Sequence, residues 1–445
     1  MKTIFITVFE GIEIRTVLRT SIFEKLDLRI VAFTKNKEKA EFYQKEFPHI
    51  KWEVVDWRVQ GLDKFFQKLK FLLLKTNSTD LHRRIKLRGD AKLFSYFFFY
   101  ILNFCLARTP IRRIARFLDY HLVRTDIYSD YFKKYDPDLV FVSLPFEEIQ
   151  IHMLREARRA GIKSIGFISS WDKVTSKCIL RVLPDRLICF NDFVKENLIK
   201  HNEIKEKNIF VSGIPHYDYY FPVSDKQEKF NEAFRSIVYA PMGKQYSNSD
   251  WKVIDLLYKM KDEGKLGGAE LLIRFQPVDE VDENEIRKRP HMIYQHPGQR
   301  FSSSPWDWDM NSTDLNILKH TLSSMDLLIC YASSISIDAI IFDKPVININ
   351  FELEENLEKP ATLYYQLSHY KKALSFNAIT LANNPFELEA AIKRYLEYPE
   401  LHAPERKQLA EYQCKFLDGK SGERVRSFIL DMLSIIHSPF LLSML

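Results

Sequence analysis

The chain reads as an α/β protein of two Rossmann-like domains, each a parallel sheet covered by helices. Three observations carry this expectation. The front of the chain alternates strand-like apolar runs at 3–9, 28–34 and 52–57 with helical stretches at 14–26 and 35–47, the order of a parallel βαβ sheet. In the back half, residues 327–331 form a continuous apolar run, as a strand buried on both faces would. A small polar turn (Ala332, Ser333, Ser334), an apolar helix over 335–342, a stop at Asp343-Lys344-Pro345 and a second apolar run at 346–349 follow. Between the halves, Gly213-Ile214-Pro215 and the polar stretch 222–230 interrupt the alternation, as a linker would.

Taken in order, the first strand ends at Glu10-Gly11-Ile12-Glu13, a turn. No Gly-x-Gly-x-x-Gly fingerprint follows it, so a dinucleotide site there has no support. Its start has Lys2 and an apolar run but no small-residue cleavage site, and reads as a strand rather than a leader. Strands resume at 138–144, 163–169, 186–190 and 208–212, with helices at 147–160 and 192–200. The second half opens with a strand at 237–240 and the loop Pro241-Met242-Gly243-Lys244. A helix at 251–260 and a strand at 271–275 come next. A short strand at 292–294, a polar loop over 300–311 and a helix at 313–324 lead to the serine-headed unit. Helices at 363–374 and 385–396 and an apolar C-terminal helix complete the chain.

At 445 residues, with 46% hydrophobic and 28% charged residues, the chain is long enough for two or three domains and too apolar to be disordered. Its 5 cysteines include no CxxC pair, which suits buried free thiols in a reducing compartment and argues against a structural zinc site. Net charge is +6, yet residues 61–125 alone hold 14 Lys/Arg against 4 Asp, a local excess that suits an anionic partner. That segment carries an amphipathic basic helix at 61–75 and an aromatic run at 93–107. The run is shorter than the ~20 residues a spanning helix needs. Aromatic and basic residues together suit a helix at a lipid interface. The competing reading is a buried helical insertion with a solvated cationic face. No nucleic-acid recognition motif accompanies the charge, and no DNA partner is expected.

The serine-headed turn offers a chemistry of its own. Free N–H groups at a helix start, with added hydroxyls from Ser333, Ser334 and Ser336, can hold phosphate, and Asp338 one turn on can accept from ribose hydroxyls. The same residues also serve as ordinary caps. Ser333-Ser334-Ile-Ser336-Ile-Asp338-Ala339 with Asp343-Lys344-Pro345-Val346-Ile347 resembles the donor-site motif of GT-B glycosyltransferases, which is shared with CDP-glycerol glycerophosphotransferases and UDP-N-acetylglucosamine 2-epimerases. Asp stands where Glu is commoner in that motif, and Asp343-Lys344 where Gly is usual. Ser170-Trp171-Asp172, Pro184-Asp185-Arg186 and Gly213-Ile214-Pro215-His216 resemble bacterial surface-carbohydrate members of the group, as does the final segment from Phe416 to Val425.

The resemblance implies two Rossmann-like domains facing a cleft: an acceptor domain over 1–220 with a basic helical insertion at 61–125, a donor domain over 221–420, and a last helix over 421–445 returning toward the first domain. It also implies a nucleotide-sugar donor handled without metal or other cofactor. Lys244, Arg274, Gln276, Ser333, Ser334, Ser336 and Asp338 are the donor candidates. Gln276-Pro277 stands where related transferases often have His-Pro. For the base that an acceptor hydroxyl needs, the candidates are Glu10, Glu13, Glu147 and Asp172, with Glu10 favoured by the resemblance. Arg15, Arg19 and Trp171 are placed at the acceptor. The expected function is sugar transfer to a surface-polysaccharide or lipid-linked glycan, by a cytoplasmic enzyme peripheral to the inner face of the membrane. The alternatives are a CDP-glycerol glycerophosphotransferase, a UDP-N-acetylglucosamine 2-epimerase-like enzyme, or a non-catalytic nucleotide- or RNA-binding protein.

Overall fold

A computed structural model describes residues 1–90, 92–222, 235–301, 307–354 and 360–435. The chain forms two compact units. One comprises 1–79, 94–219 and 414–445, the other 80–93 and 220–413. The helix Asn77–Asp90 is therefore divided, its residues from Asp80 onward going with the second unit, whereas 61–125 was expected to belong wholly to the first.

The first unit is built on seven parallel strands: β1 (Lys2–Thr7), β2 (Leu28–Thr34), β3 (Lys51–Val54), β4 (Leu139–Val142), β5 (Lys163–Ile168), β6 (Arg186–Cys189) and β7 (Ile209–Val211). Their order is β3-β2-β1-β4-β5-β6-β7. The direction of winding reverses between β1 and β4, in register Ile4 to Leu139 and Thr7 to Val142. In open α/β sheets ligands bind at the carboxyl ends of the strands beside such a reversal. β1 and β4 are buried along nearly their whole length, which is why both read as unbroken apolar runs. The helix expected over 14–26 is much shorter: Gly11–Glu13 and a single π turn over Ile14–Leu18. The C-terminal helix Ser421–Ile435 also belongs to this unit. Asp218 accepts from the backbone N–H of Ser421 (3.0 Å) and Gly422 (2.7 Å), satisfying its first turn, and Phe428 stacks on Phe210.

The second unit contains β8 (Ser236–Ala240), β9 (Glu270–Arg274), β10 (Ile293–Gln295), the antiparallel pair β11 (Gln299–Arg300) and β12 (Trp308–Asp309), then β13 (Leu327–Cys330), β14 (Val346–Ile349) and β15 (Thr380–Ala382). The main sheet runs β10-β9-β8-β13-β14-β15, all parallel, and reverses between β8 and β13. Part of the loop expected over 300–311 is thus a short ladder. The linker expected over 222–230 lies, apart from Pro222, outside the described residues. Two Rossmann-like parallel sheets with helical cover are the α/β architecture of the GT-B fold.

The insertion forms helices Gly61–Leu72, Asn77–Asp90, Leu93–Leu106 and Thr109–Leu122. Cys178, Cys189, Cys330 and Cys414 are buried as expected, but Cys105 is exposed, because the helix carrying it is scarcely covered by the rest of the unit.

Candidate functional site

In the first unit the loops after β1 and β4 meet at the reversal. Gln150, on the helix Glu148–Arg159, joins them: its Oε1 accepts from Thr7 Oγ1 (2.8 Å) and from Leu144 N (2.8 Å), and its amide donates to Glu13 Oε1. The other Glu13 oxygen accepts from the backbone N–H of Phe9 and of Glu10 (3.1 Å). Glu13 is 1% exposed. Burial, with the Glu10 charge adding, pushes its carboxyl up to about 7 against those three donors. Glu13, an expected catalytic residue, is thereby a brace of the β1 loop, its oxygens occupied by the protein itself. Glu10 pairs with the Lys35 ammonium at the same loop.

Arg19 makes a two-point ion pair with Glu46, both N···O distances being 2.7 Å. This fork-to-fork geometry ties the segment after β1 to the helix Lys37–Glu46 and gives Arg19 a task other than the acceptor contact expected of it. Arg15 lies beside His216, whose Nδ1 is buried without a hydrogen-bond partner. Burial and the Arg15 charge hold that imidazole well below its usual range, so it is neutral at pH 7.

After β5, Trp171 packs on the cluster around Phe146, Ile168 and Val174. Asp172 starts the helix Lys173–Ser176. Its carbonyl accepts from Thr175 N (3.0 Å), and its carboxylate accepts from Ser170 Oγ. Lys173, which the sequence reading passed over, is desolvated there, and burial together with Lys177 lowers its pKa against the opposing charges of Asp172, Glu147 and Glu13. Asp172, Lys173, Glu147 and Glu13 are thus electrostatic neighbours at the ends of three adjacent strands, although they come from well-separated parts of the sequence. Glu147 also approaches Lys177, at 3.6 Å.

In the second unit, the β8 loop is held from beneath by Asp250, the first residue of helix Asp250–Asp262. Its carboxylate accepts from Gly243 N (2.7 Å), Met242 N (3.2 Å) and Tyr239 OH (3.3 Å), and burial pushes it up to about 7. Gln276 donates to Met242 O, and Lys244 N donates to Asp279 Oδ1 at 3.0 Å. The expected donor residues Lys244 and Gln276 therefore share one loop system at the ends of β8 and β9. Arg274 is buried and donates to Gln295 on β10. Beyond β9 and β10 an open pocket is lined by Asp279, Tyr294, His296 and Arg300. Neither this pocket nor Asp250 was foreseen as part of a site.

The serine-headed turn after β13 differs from expectation. The helix is Ile335–Ile341, and Ser334 has helical backbone angles (φ −65°, ψ −23°) with no side-chain cap. Ser333 is half-buried and Ser334 exposed. Ser336 points inward, its hydroxyl bonded to Tyr370 OH (2.9 Å) beside Cys330 and Asn348. Ser336 is thus a core polar node and has no hydroxyl to offer a phosphate. Asp338 is nearly buried and accepts from Tyr220 OH at 2.8 Å. Among the described residues, no three His, Cys, Asp or Glu side chains converge as a metal site would.

Residues 180–431, more than half of the chain, match the family of CDP-Glycerol:Poly(glycerophosphate) glycerophosphotransferases. The chain belongs to that family. The matched region includes every loop of the second unit's strand-end site. No curated protein sequence matches the chain. Among solved structures, S. aureus MnaA in complex with UDP is similar over 98% of both chains, with a TM-score of 0.55 and 12% identity. UDP-GlcNAc 2-epimerase from Neisseria meningitidis bound to UDP-GlcNAc is similar over 97% of this chain and all of its own (0.51, 11%). The wall teichoic acid polymerase TagF is similar over 98% of this chain and 90% of its own (0.50, 12%). At such identities the likeness carries the fold. Family membership makes the chain a transferase of GT-B type that acts on a nucleotide-activated donor.

Proposed function

We propose that the chain transfers a sugar from a nucleotide-sugar donor to a hydroxyl of a surface-polysaccharide or lipid-linked glycan, without a metal ion, as a cytoplasmic enzyme peripheral to the membrane. The observation that carries the reading is the family match over 180–431, which spans the loops after β8, β9 and β13. In this reading Lys244, Gln276 and the backbone N–H groups at Ser333 and Ser334 hold the donor diphosphate, and Asp338 faces the ribose. Asp172 takes the acceptor proton. It is half-buried at a strand end, oriented by Ser170, with Lys173 as an electrostatic neighbour. The leaving nucleoside diphosphate departs with the bonding electrons of the anomeric C–O bond, and the acceptor oxygen forms the new one.

A second reading is favoured by the family's own description: transfer of glycerophosphate from CDP-glycerol. The two differ in what they release. Sugar transfer frees a nucleoside diphosphate, or CMP where the donor is a CMP-sugar, whereas glycerophosphate transfer breaks the P–O–P link of CDP-glycerol and frees CMP. Incubation with UDP-, GDP- and CDP-sugars, CMP-sugars and CDP-glycerol, with acceptor and with chromatography of the nucleotide product, separates them. Acceptor-dependent nucleoside diphosphate supports the first reading and CMP from CDP-glycerol the second. Acceptor-independent interconversion of free nucleotide sugars would point to an epimerase and overturn both. Asp172→Asn is expected to lower kcat by about 10²-fold or more while leaving donor affinity unchanged.

A further inference from the structure

Glu352, just past the end of β14, ties its own loop to two other segments of the second unit. Its Oε2 accepts from Ser249 Oγ at 3.0 Å, and its Oε1 from the backbone N–H of Thr362 at 3.1 Å. The next residue closes the same knot, Leu353 N donating back to Ser249 Oγ at 3.3 Å. The Tyr331 hydroxyl, at the end of β13, approaches Phe351 O at 3.4 Å. The sheet order places β8, β13 and β14 side by side, with the reversal of winding between β8 and β13. The knot therefore gathers the ends of three adjacent strands where open α/β sheets take their ligands.

Glu352 is half-buried, and burial pushes its carboxyl up against the amide and hydroxyl donors that favour the charged form. Lys252, on the neighbouring helix, pairs instead with Glu354, at 2.8 Å. What Glu352 supplies is two acceptor oxygens, with which one side chain holds two segments at a fixed separation. The turn it binds, Ala361–Gln366, is fastened on its other side by Tyr365 OH to Ile349 O (2.7 Å). Tyr364 beside it sets its ring edge-on to Tyr246, at 5.8 Å. Tyr246 belongs to the β8 loop, two residues past Lys244. That loop is thus gripped by Asp250 beneath Met242 and Gly243, by Tyr364 at Tyr246, and by Glu352 at Ser249. Two of these three grips depend on Glu352, and Lys244 stands between the first and the second.

We propose that Glu352 is a positioning residue of the donor site. It locks the β8 loop against the loops after β13 and β14, so that Lys244 and the backbone N–H groups at Ser333 and Ser334 meet on one diphosphate. It acts through Ser249 and the Ala361–Gln366 turn, and its own oxygens stay with those protein donors. The proposal rests on the reading that these two loops hold the donor diphosphate. It also states which part of the donor feels the residue. A diphosphate engages both loops at once, whereas a monophosphate needs one of them. Loosening the knot therefore costs the diphosphate more, because simultaneous engagement depends on the spacing of the two loops.

Calorimetry on the full chain reads the affinities of CDP, UDP and GDP beside those of CMP, UMP and GMP. Glu352→Ala is expected to weaken the tightest-binding diphosphate by about tenfold or more, and the matching monophosphate by about threefold or less. In turnover the loss falls on the donor KM, with kcat within about twofold, since no group that meets the reacting atoms has been removed. Ser249→Ala produces a similar loss and adds little when joined to Glu352→Ala, because the two changes cut one link. Glu352→Asp, charged but one carbon shorter, falls between. Glu354→Gln, next but one in sequence, leaves these affinities at wild-type values. Should the alanine chain not fold, Glu352→Gln keeps one acceptor oxygen and carries the same comparison. Undiminished diphosphate affinity overturns the proposal. So do equal losses for diphosphate and monophosphate, or losses at Glu352 and Ser249 that add in full. A wild type that binds none of these nucleotides removes the donor reading and this proposal with it. A variant that binds as the wild type does removes the proposal alone, so the two failures are distinct.

Discussion

Gly243 is the residue on which the β8 loop turns, and Gly243→Ala tests that loop directly. Its φ is +89°, a conformation that L residues rarely adopt, and an added Cβ would stand 2.0 Å from Gln276 Nε2 and 3.1 Å from the Asp279 carboxyl carbon. The two costs are unequal. Left-handed backbone costs an L residue roughly 1–2 kcal/mol. The contact with Gln276 involves the far end of a flexible side chain, which can swing away at the loss of its hydrogen bond to Met242 O, about 1 kcal/mol. The expected destabilisation is therefore about 2–3 kcal/mol, most of it from the backbone. Urea unfolding reads the total, and native-state hydrogen exchange over 236–262 shows whether the loss falls at this loop. Donor affinity, measured by calorimetry, should fall at least tenfold, because Lys244 and the loop amides are displaced together. Gln276→Ala, added to Gly243→Ala, should recover no more than about 1 kcal/mol. Full recovery by that second change, or a Gly243→Ala chain as stable and as tightly binding as wild type, refutes the reasoning.

Other consequences follow from the buried carboxylates. Glu13 and Asp250 are both raised to about 7, from 4.5 and 3.8 respectively. Both are protonated in either state at low pH. As pH rises toward 7 the unfolded chain ionises first, so stability falls across that window, by on the order of 3 kcal/mol for Glu13 alone. Glu13→Gln should flatten its share of the slope in urea midpoints taken from pH 4 to 8, and an unchanged slope would show that Glu13 does not titrate as stated. Asp119→Ala leaves the buried Arg155 guanidinium without its carboxylate and takes one of two close carboxylates from Arg181, which keeps Asp63, and should cost about 3–5 kcal/mol, far more than Glu46→Ala at the partly exposed Arg19 pair; equal losses in urea would contradict this. A true donor should raise the melting temperature by mass action, and Asp338→Ala should lose that response while Tyr220→Phe keeps most of it. A lowered melt with an intact donor response would mean that Asp338 serves Tyr220 and not the ribose.

Most strands of both sheets were legible because a strand buried on both faces must be apolar throughout, as at Leu139–Val142 and Leu327–Cys330; the edge strand Thr380–Ala382, only partly buried, was not foreseen. The loops that follow them were legible too, since Gly11, Gly243 and the Ser333-Ser334 pair interrupt those runs. Side-chain direction was not. Whether Ser336 faces a phosphate or Tyr370 depends on one turn of a seven-residue helix, and local spacing allows either. Glu13 looked like a base because it is a carboxylate near a strand end. Only the arrival of Gln150, 137 residues later, makes it a brace. The insertion shows the limit most plainly. The amino-acid order of 109–122 determines that one helical face is apolar and the other charged. Which face meets solvent was decided by Glu203, Arg155 and Arg181, from distant parts of the chain, because buried charges hold their place only where partners of opposite sign wait for them.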